Sequence, residues 1–405
     1  MSGEYRLLAC SRAHPSAINP YKGLFNRRSL SSLAQYCPVD LDVIAPVPRA
    51  PPIGPYSNYR NMPSVEYSRE YEVHHPRFFY PLPKRLFKYT VASKSFTRSV
   101  TNYANDTLAI PDIIHAGHIY FDGYGVLQYC KQHDIPLTVM GRGHLLNNYN
   151  SLPRSAKKKV NKTLDYCSRV CCVSEALSDI ARDLTDEKKV TLLAEGTDPN
   201  RYPTGNAESI RHELDIPEEN AVVLFVGSFN KNKGIKEITE ILPTLEIADL
   251  TVVFVGHHGD LRWEVERAMN QSSVDVRSYW KLSPLALRRL YAVADLLLLP
   301  SYSEGRPSVI YEAMASETAV FASDIGGIRE QVANGTTGTL IPPGDPETLR
   351  ERLTAMVSDR DSLAEMGKAG LDRLQENGWT WKRHAEQLYD IHRSIIETDD
   401  HSTSG

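Results

Sequence analysis

The sequence predicts an α/β chain of two doubly wound, Rossmann-like domains facing each other across a cleft. Three observations predict it. Short apolar runs alternate with helical patterns, the alternation comes in two separate series, and a stretch rich in turn residues, "DPNRYPTGNAES" at 198–209, lies between them. Short buried strands alternating with helices imply parallel sheets covered on both faces. The turn residues mark a linker. We therefore expect a first domain over 1–203 and a second over 204–379. A helix at 380–397 is expected to pack back on the first.

The first series opens with strands at 5–10 ("YRLLAC") and 41–45 ("LDVIA"), joined by a helix entered through Gly23. Residues 46–100 are rich in proline and aromatics and predict a long irregular excursion with room for one helix. Alternation then resumes. "DIIHAG" is a strand, "GYGVLQYCKQ" a helix, "PLTVMG" a strand and "RSAKKKVNKTLDYC" a helix. "RVCCVS", "EALSDIARDL" and "KVTLLAEG" follow as strand, helix and strand. The second series runs "AVVLFVG", "KEITEILPTL", "LTVVFVG", "LRWEVERAM", "VDVRSY", "PLALRRLYAVA" and "LLLLPS". It ends with "SVIYEAMAS", "AVFAS", "IREQVAN" and "GTLIPP", and "TWKRHAEQLYDIHRSII" closes the chain as an amphipathic helix.

The 405 residues suit two or three domains, and 41% apolar with 24% charged residues is ordinary for a soluble globular protein. A formal charge of −4 argues against a dedicated nucleic-acid binder. No apolar run is long enough to span a membrane, and "MSGEYRLLAC" is too short and polar for a secretory signal. The six cysteines form no CxxC pair and no zinc spacing, so buried thiols in a reducing cytosol are expected. "DLD" at Asp40–Asp42 imitates a metal-binding D-x-D but starts a strand with no second ligand set, and the pairs His74-His75 and His257-His258 lack ligand spacing, so no metal site is expected. "GRGHLL" is not G-x-G-x-x-G, which disfavours a dinucleotide oxidoreductase, and no Gly-x-Ser-x-Gly elbow appears.

In open parallel sheets, ligands bind beyond the carboxyl ends of strands. "LLLLPSYSEGRPSVIYEAMA" at 296–315 is such a place, a strand, a loop and a helix beginning at Pro307. The first amides of a helix lack partners and favour an anion, typically phosphate. Gly305 lets the backbone approach. A carboxylate beside a phosphate site is repulsive unless something neutral and hydroxylated lies between them. A ribose diol or a sugar ring fits, and a carboxylate accepts two charge-assisted bonds from a diol. The pair thus reads as a clamp, with phosphate on the amides, ribose on Glu312 and sugar hydroxyls on Glu304. The alternative is a solvated loop acid and a surface helix acid.

"SEGRPSVIYEAMA" resembles the E-x7-E motif of retaining glycosyltransferases of family 4, which have the GT-B fold. "VGSFNKNKGIKE", "YAVADLLLLPS", "ASDIGGIREQVANGTTGTLIPPGD" and "CCVSEALSD" are similar to the same family's pattern. The resemblance is dense over about 165–395. "PYKGLFNRRSLSSLA" and "HPRFFYPLP" resemble members that build cell-surface polysaccharides or lipid-linked glycans.

The resemblance implies a sugar moved from a nucleotide-diphosphate donor to an acceptor hydroxyl, without metal or cofactor. It assigns Lys233, just before Gly234 and a helix, to the diphosphate as a point charge. The family usually has Gly-Arg where this chain has Gly227-Ser228, so either Lys231 replaces the missing arginine or it is an ordinary loop cation. Gly305, Arg306, Pro307, Ser308 and Val309, between the two acids, are assigned to the donor. Leu282 stands where a backbone group meets the base, and Trp280 beside it either stacks on the base or fills core. Arg142 and His144 follow a strand, and either meets the donor sugar or phosphate or orients the acceptor. Gly23 is a diphosphate-loop glycine or a plain turn glycine. His115 and His118 are given a lining role at most.

Expected catalytic residues are thus Glu304, Lys233, Arg142 and His144. The basic clusters "HPRFFYPLPKRLFKY" and "RSAKKKVNK" suit either a peripheral contact with an anionic membrane or a solvated face. Expected partners are a nucleotide sugar and a glycan or lipid-linked acceptor, with no nucleic acid, in the cytoplasm or at the inner membrane face. Three alternatives accompany this reading: a GT-B binding protein that lost catalysis, a sugar-nucleotide epimerase and a GT-B phosphorylase.

Overall fold

A computed structural model of the chain describes residues 3–49, 51, 54–81, 89–202 and 207–402. The chain divides into two compact units, Met1–Ala194 with Trp381–Gly405, and Glu195–Thr380. The division falls at 194/195, whereas the turn residues point to 203/204. Beyond Ala194 the chain is already stitched to the second unit, because Thr197 N–H donates to Trp379 O at 3.0 Å and Thr197 bridges Thr380. Residues 203–206 of the expected linker lie outside the described residues.

The first unit is built on β1 (Tyr5–Cys10), β2 (Val39–Ile44), β3 (Val47–Arg49), β4 (Val65–Tyr67), β5 (Glu72–His74), β6 (Arg77–Phe79), β7 (Ile113–Ala116), β8 (Leu137–Gly141), β9 (Arg169–Cys172) and β10 (Val190–Leu192). One sheet runs β10-β9-β8-β7-β1-β2-β5-β4, parallel except for β4 against β5, and β3 pairs with β6 alone. The registers Cys10↔Ile44 and Cys10↔Ala116 bring β1, β2 and β7 to one edge together. Gly141↔Cys172 does the same for β8 and β9. The segments that follow these strands therefore emerge side by side.

The irregular stretch holds four short strands, a 3-10 turn at Gly54–Asn61 and the start of a helix over Val91–Thr107. Residues 82–88 of the basic aromatic cluster lie outside the described residues. The final helix, Trp381–Ser402, belongs to this unit and buries Ala385, Leu388 and Ile395 in its core.

The second unit uses β11 (Ala221–Val226), β12 (Leu250–Gly256), β13 (Asp275–Trp280), β14 (Leu296–Leu299), β15 (Ala319–Ser323) and β16 (Gly338–Ile341), all parallel, in the order β13-β12-β11-β14-β15-β16. The chain winds outward from β11 to β13, then returns to the other side of β11 as β14. The order therefore reverses between β11 and β14, where an open sheet offers its crevice. Apolar runs such as "LLLL" and "LTVVFVG" are wholly buried, as strands covered on both faces must be.

No disulfide forms among the cysteines. Cys37 is half-buried and the other five are buried. Burial raises the Cys37 thiol to about 11 and those of Cys167 and Cys172 to about 12.

Candidate functional site

In the second unit, Lys233 follows β11 and Glu304 follows β14, so they flank the reversal of strand order. Lys233 Nζ donates to Glu304 Oε1 at 2.5 Å, with side chains 21% and 11% exposed. The two loops are tied elsewhere as well. Tyr302 N–H donates to Asn232 O at 2.8 Å, and Asn232 Nδ2 donates to Ser303 O at 3.0 Å. Gly234 makes the approach feasible. Its φ is +70°, and a Cβ there would lie 2.2 Å from Pro300 O.

The loop after β15 closes on the other side. Gly327 N–H donates to Gly305 O at 3.0 Å, and a Cβ on Gly326 would lie 2.8 Å from Glu304 O. The backbone of Glu304 and Gly305 is thus gripped between two loops.

The helix after this loop is Ser308–Ala315, with Pro307 as its extended N-cap (ψ 126°) rather than its first helical residue. Pro307 O takes Ile310 N–H at 3.3 Å and Gln331 Nε2 at 3.2 Å. The amides of Ser308 and Val309 have no preceding turn to donate to. Glu312 is only 4% exposed, so it is not the surface helix acid that an isolated reading allows.

Arg306 lies elsewhere. Its guanidinium sits 4.8 Å above the Trp379 ring and pairs with Glu330 Oε2 at 3.2 Å, with a side chain 3% exposed. It anchors the loop from inside the unit, whereas the resemblance assigns it to the donor. Trp280 ends β13 with its ring edge-on to Phe229 at 5.6 Å and Arg262 5.0 Å above it, so it fills space between side chains. Leu282 is half-buried just beyond, after Lys281 at φ +58°. Lys231 is exposed in the turn that leads to Lys233.

Ser228 is buried, and its hydroxyl meets the His258 ring, 3.0 Å from Nε2 and 3.2 Å from Nδ1. The His257 and His258 rings lie 4.3 Å apart. Burial, then neighbouring His258, Lys233 and Lys281, lower His257 to about 4, and burial with Lys233 lowers His258. The pair lacks metal spacing, so the sequence gives it no metal role. Its place after β12, next to β11, was the available signal.

In the first unit, Gly23 has φ +68°, and a Cβ there would lie 1.7 Å from Ala13 O, so the residue type is dictated by both backbone and space. The helix it opens carries Phe25 and Asn26 to Arg142. That guanidinium sits 4.1 Å over the Phe25 ring and donates to Asn26 Oδ1 at 3.1 Å and Gly117 O at 3.3 Å. Together with Ser11, Ser29 and His115, Arg142 lines a small recess at the carboxyl ends of β1 and β7, with room for about one water molecule. His144 is exposed on the short helix that follows Arg142. His115 is buried against Thr138 Oγ1 at 2.9 Å, and His118 Nδ1 lies 3.2 Å from Asp122 Oδ2.

Among the described residues, no three His, Cys, Asp or Glu side chains gather as a metal-binding group, and no helix is long and apolar enough to cross a membrane.

Residues 206–373 match the family model for glycosyl transferases group 1, and residues 38–201 match that for glycosyltransferase family 4. The glycosyltransferase TuaC of Bacillus subtilis, assigned by name to teichuronic acid biosynthesis, is 27% identical over 97% of this chain and 99% of its own. Alpha-maltose-1-phosphate synthase of Mycolicibacterium smegmatis is 30% identical over 69% of this chain and 76% of its own. Among solved structures, sucrose-phosphate synthase from Thermosynechococcus elongatus superposes with a TM-score of 0.80 at 20% identity, covering 97% of this chain and all of that one. Anabaena HepE in complex with UDP-glucose gives 0.71 at 17% identity, covering 96% of this chain and all of that one.

Proposed function

Because the chain belongs to glycosyltransferase family 4 and is a GT-B glycosyltransferase, we propose that it is a retaining enzyme. It moves a sugar from a nucleotide-diphosphate sugar to a hydroxyl of a glycan or lipid-linked acceptor. The observation that carries this reading is the Lys233–Glu304 pair at 2.5 Å across the reversal of strand order, with Glu312 buried one helix further on. That HepE forms a complex with UDP-glucose and TuaC carries the name of a teichuronic acid biosynthesis glycosyltransferase supports this donor and acceptor class.

The chemistry follows from charge. The diphosphate gains negative charge as the bond from sugar C1 to its oxygen breaks. Lys233 Nζ and the amides of Ser308 and Val309 stabilise that charge, as preorganised donors do. The ammonium then exchanges part of its bond to Glu304 for the phosphate, which leaves the carboxylate to hold sugar hydroxyls. Glu312 takes the ribose. The acceptor oxygen bonds to C1 on the face that the phosphate leaves, and its proton passes to the departing phosphate oxygen. Configuration is retained, and neither a metal ion nor a cofactor is required.

Binding at the inner face of a membrane would bring the enzyme to a lipid-linked acceptor. Arg154, Lys158 and Lys162 are exposed for it. Lys157 and Lys159 instead turn onto Tyr149 and Tyr124, so only part of the expected basic face is available. Sedimentation with anionic phosphatidylglycerol vesicles, lost when those three exposed residues become Gln, tests this contact. Unchanged sedimentation contradicts it.

The main test is nucleotide release from UDP-glucose, GDP-mannose and ADP-glucose with simple glycoside and lipid-linked acceptors, followed by NMR of the product anomeric proton. One donor should turn over in EDTA with its anomeric configuration kept. An inverted product, or turnover restored only by a divalent ion, contradicts the proposal.

A further inference from the structure

We propose that His258 supplies the positive charge that Ser228 leaves out of the diphosphate site, and that it does so by taking up a proton as the donor binds. This inference rests on the reading of the second unit as a nucleotide-sugar site.

The geometry begins with neighbouring strands. β11 and β12 run parallel with Val226 opposite Val255, so the loops after them start side by side. Their backbones then lock together. Phe229 N–H donates to His258 O at 2.8 Å, and Leu261 N–H donates to Phe229 O at 3.0 Å. Gly259, at φ +136°, lets the second loop pass; a Cβ there would lie 2.1 Å from Phe229 O. The result is an exposed imidazole held over the Ser228 hydroxyl at 3.0 Å from Nε2, on the same loop pair as Lys233.

A serine carries no charge, and Lys231 is exposed in its turn. The ring over Ser228 is therefore the titratable group best placed to add to Lys233. The charged and titratable groups around it come from three elements. Lys233 belongs to the loop after β11 and depresses both rings, Lys281 after β13 depresses His257, and Glu304 after β14 partly neutralises Lys233. His257 and Asp260 lie in the same loop as His258.

Burial first, and then the Lys233 ammonium, disfavour a charge on this ring, so it stays neutral at pH 7. A diphosphate reverses that balance, because its two negative charges favour the imidazolium. The proton comes from solvent. Ser228 Oγ accepts from one ring nitrogen, and the other donates to phosphate oxygen. Affinity should rise as pH falls from 8 towards 6, because the complex binds more protons than the free protein. A nucleotide sugar has no phosphate ionisation in that range, so the slope belongs to the protein.

Isothermal titration with UDP-glucose, GDP-mannose and ADP-glucose at pH 7, in two buffers of different ionisation enthalpy, counts the protons. The wild type should take up a measurable fraction of a proton with its best donor. His258→Gln should abolish that uptake, flatten the slope and weaken binding about tenfold, the scale of one hydrogen bond to a charged group. His258→Arg should restore affinity without uptake. His257→Gln should keep the uptake. Uptake retained in His258→Gln, or lost only in His257→Gln, overturns the inference. If the wild type binds none of the three sugars, the reading of the site itself fails.

Discussion

At the scale of single residues, the Lys233–Glu304 bond has two consequences. A partly buried ion pair that loses one member leaves the other poorly solvated. Lys233→Ala should therefore lower the melting temperature of the second unit slightly. It should also lower kcat about a hundredfold or more, the scale of losing one preorganised donor. Steady-state kinetics beside calorimetry checks both, and an unchanged kcat would remove Lys233 from the mechanism.

His14 makes a different residue-scale prediction. Its Nδ1 lies 2.8 Å from Pro15 O and its Nε2 3.2 Å from the Tyr71 hydroxyl, so the neutral ring satisfies both partners. Burial lowers it from 6.5 to about 4. The unfolded chain therefore binds a proton between pH 6.5 and 4 that the folded one refuses. The stability is whole above pH 6.5 and is lost as pH falls towards 4, on the order of 3 kcal/mol. Urea melts across that range should show a shallower loss in His14→Gln than in the wild type; identical slopes would contradict it.

The places of Glu304, Glu312, Gly23 and Lys233 at strand and helix ends are legible in the sequence because each sits at a fixed offset from such an end. The place of His258 over Ser228 is not, because it depends on two loops that meet only after β11 and β12 pair. The inward anchoring of Arg306 is not legible either, for a related reason. Its neighbours are Glu330, 24 residues on, and Trp379 at the far end of the unit, and neither leaves a trace near "EGRP".

Among elements, the strands read most truly. β11, β12, β14 and β15 are apolar runs bounded by turn residues, and buried parallel strands need no other signal. The three-residue strands β3 to β6 escaped notice because so short a segment has no periodicity to show. The helices Pro346–Val357 and Arg360–Glu376 went unassigned although each has an aspartate N-cap, Asp345 bonding Thr348 N–H at 3.1 Å and Asp359 bonding Ser362 N–H at 3.0 Å. The turn before Ile235–Ile241 carries the element-scale prediction. Gly234→Ala adds left-handed strain and a clash with Pro300 O, together about 2–3 kcal/mol. Its thermal transition should fall by several degrees and donor affinity should fall with it. A variant as stable as the wild type would show that the loop relaxes freely.

For the whole molecule, the first unit is completed by chain from the far end of the sequence. His384 bonds Ser29 Oγ at 2.7 Å and Ala194 O at 2.9 Å, while His392 bonds the Tyr5 hydroxyl at 2.9 Å and Thr138 Oγ1 at 3.3 Å. Ala385, Leu388 and Ile395 add apolar burial, about 1.5–3 kcal/mol for each of the larger two. That is a large share of a domain's net stability. A chain ending at Thr380 should lose the cooperative transition of the first unit in scanning calorimetry and keep that of the second. Survival of both would contradict the assignment of this helix.

The measurement closest to the centre of the account compares Glu304→Gln with Glu312→Ala, using the donor sugar that the wild type turns over. Two carboxylates from one loop and its helix are given separate tasks, one on the sugar and one on the ribose. Glu304→Gln should hold donor Kd within about threefold while kcat drops about a hundredfold. Glu312→Ala should weaken donor Kd about tenfold or more, through the lost charge-assisted bonds to the diol. If both variants bind and turn over the donor like the wild type, the clamp is not where the chemistry occurs.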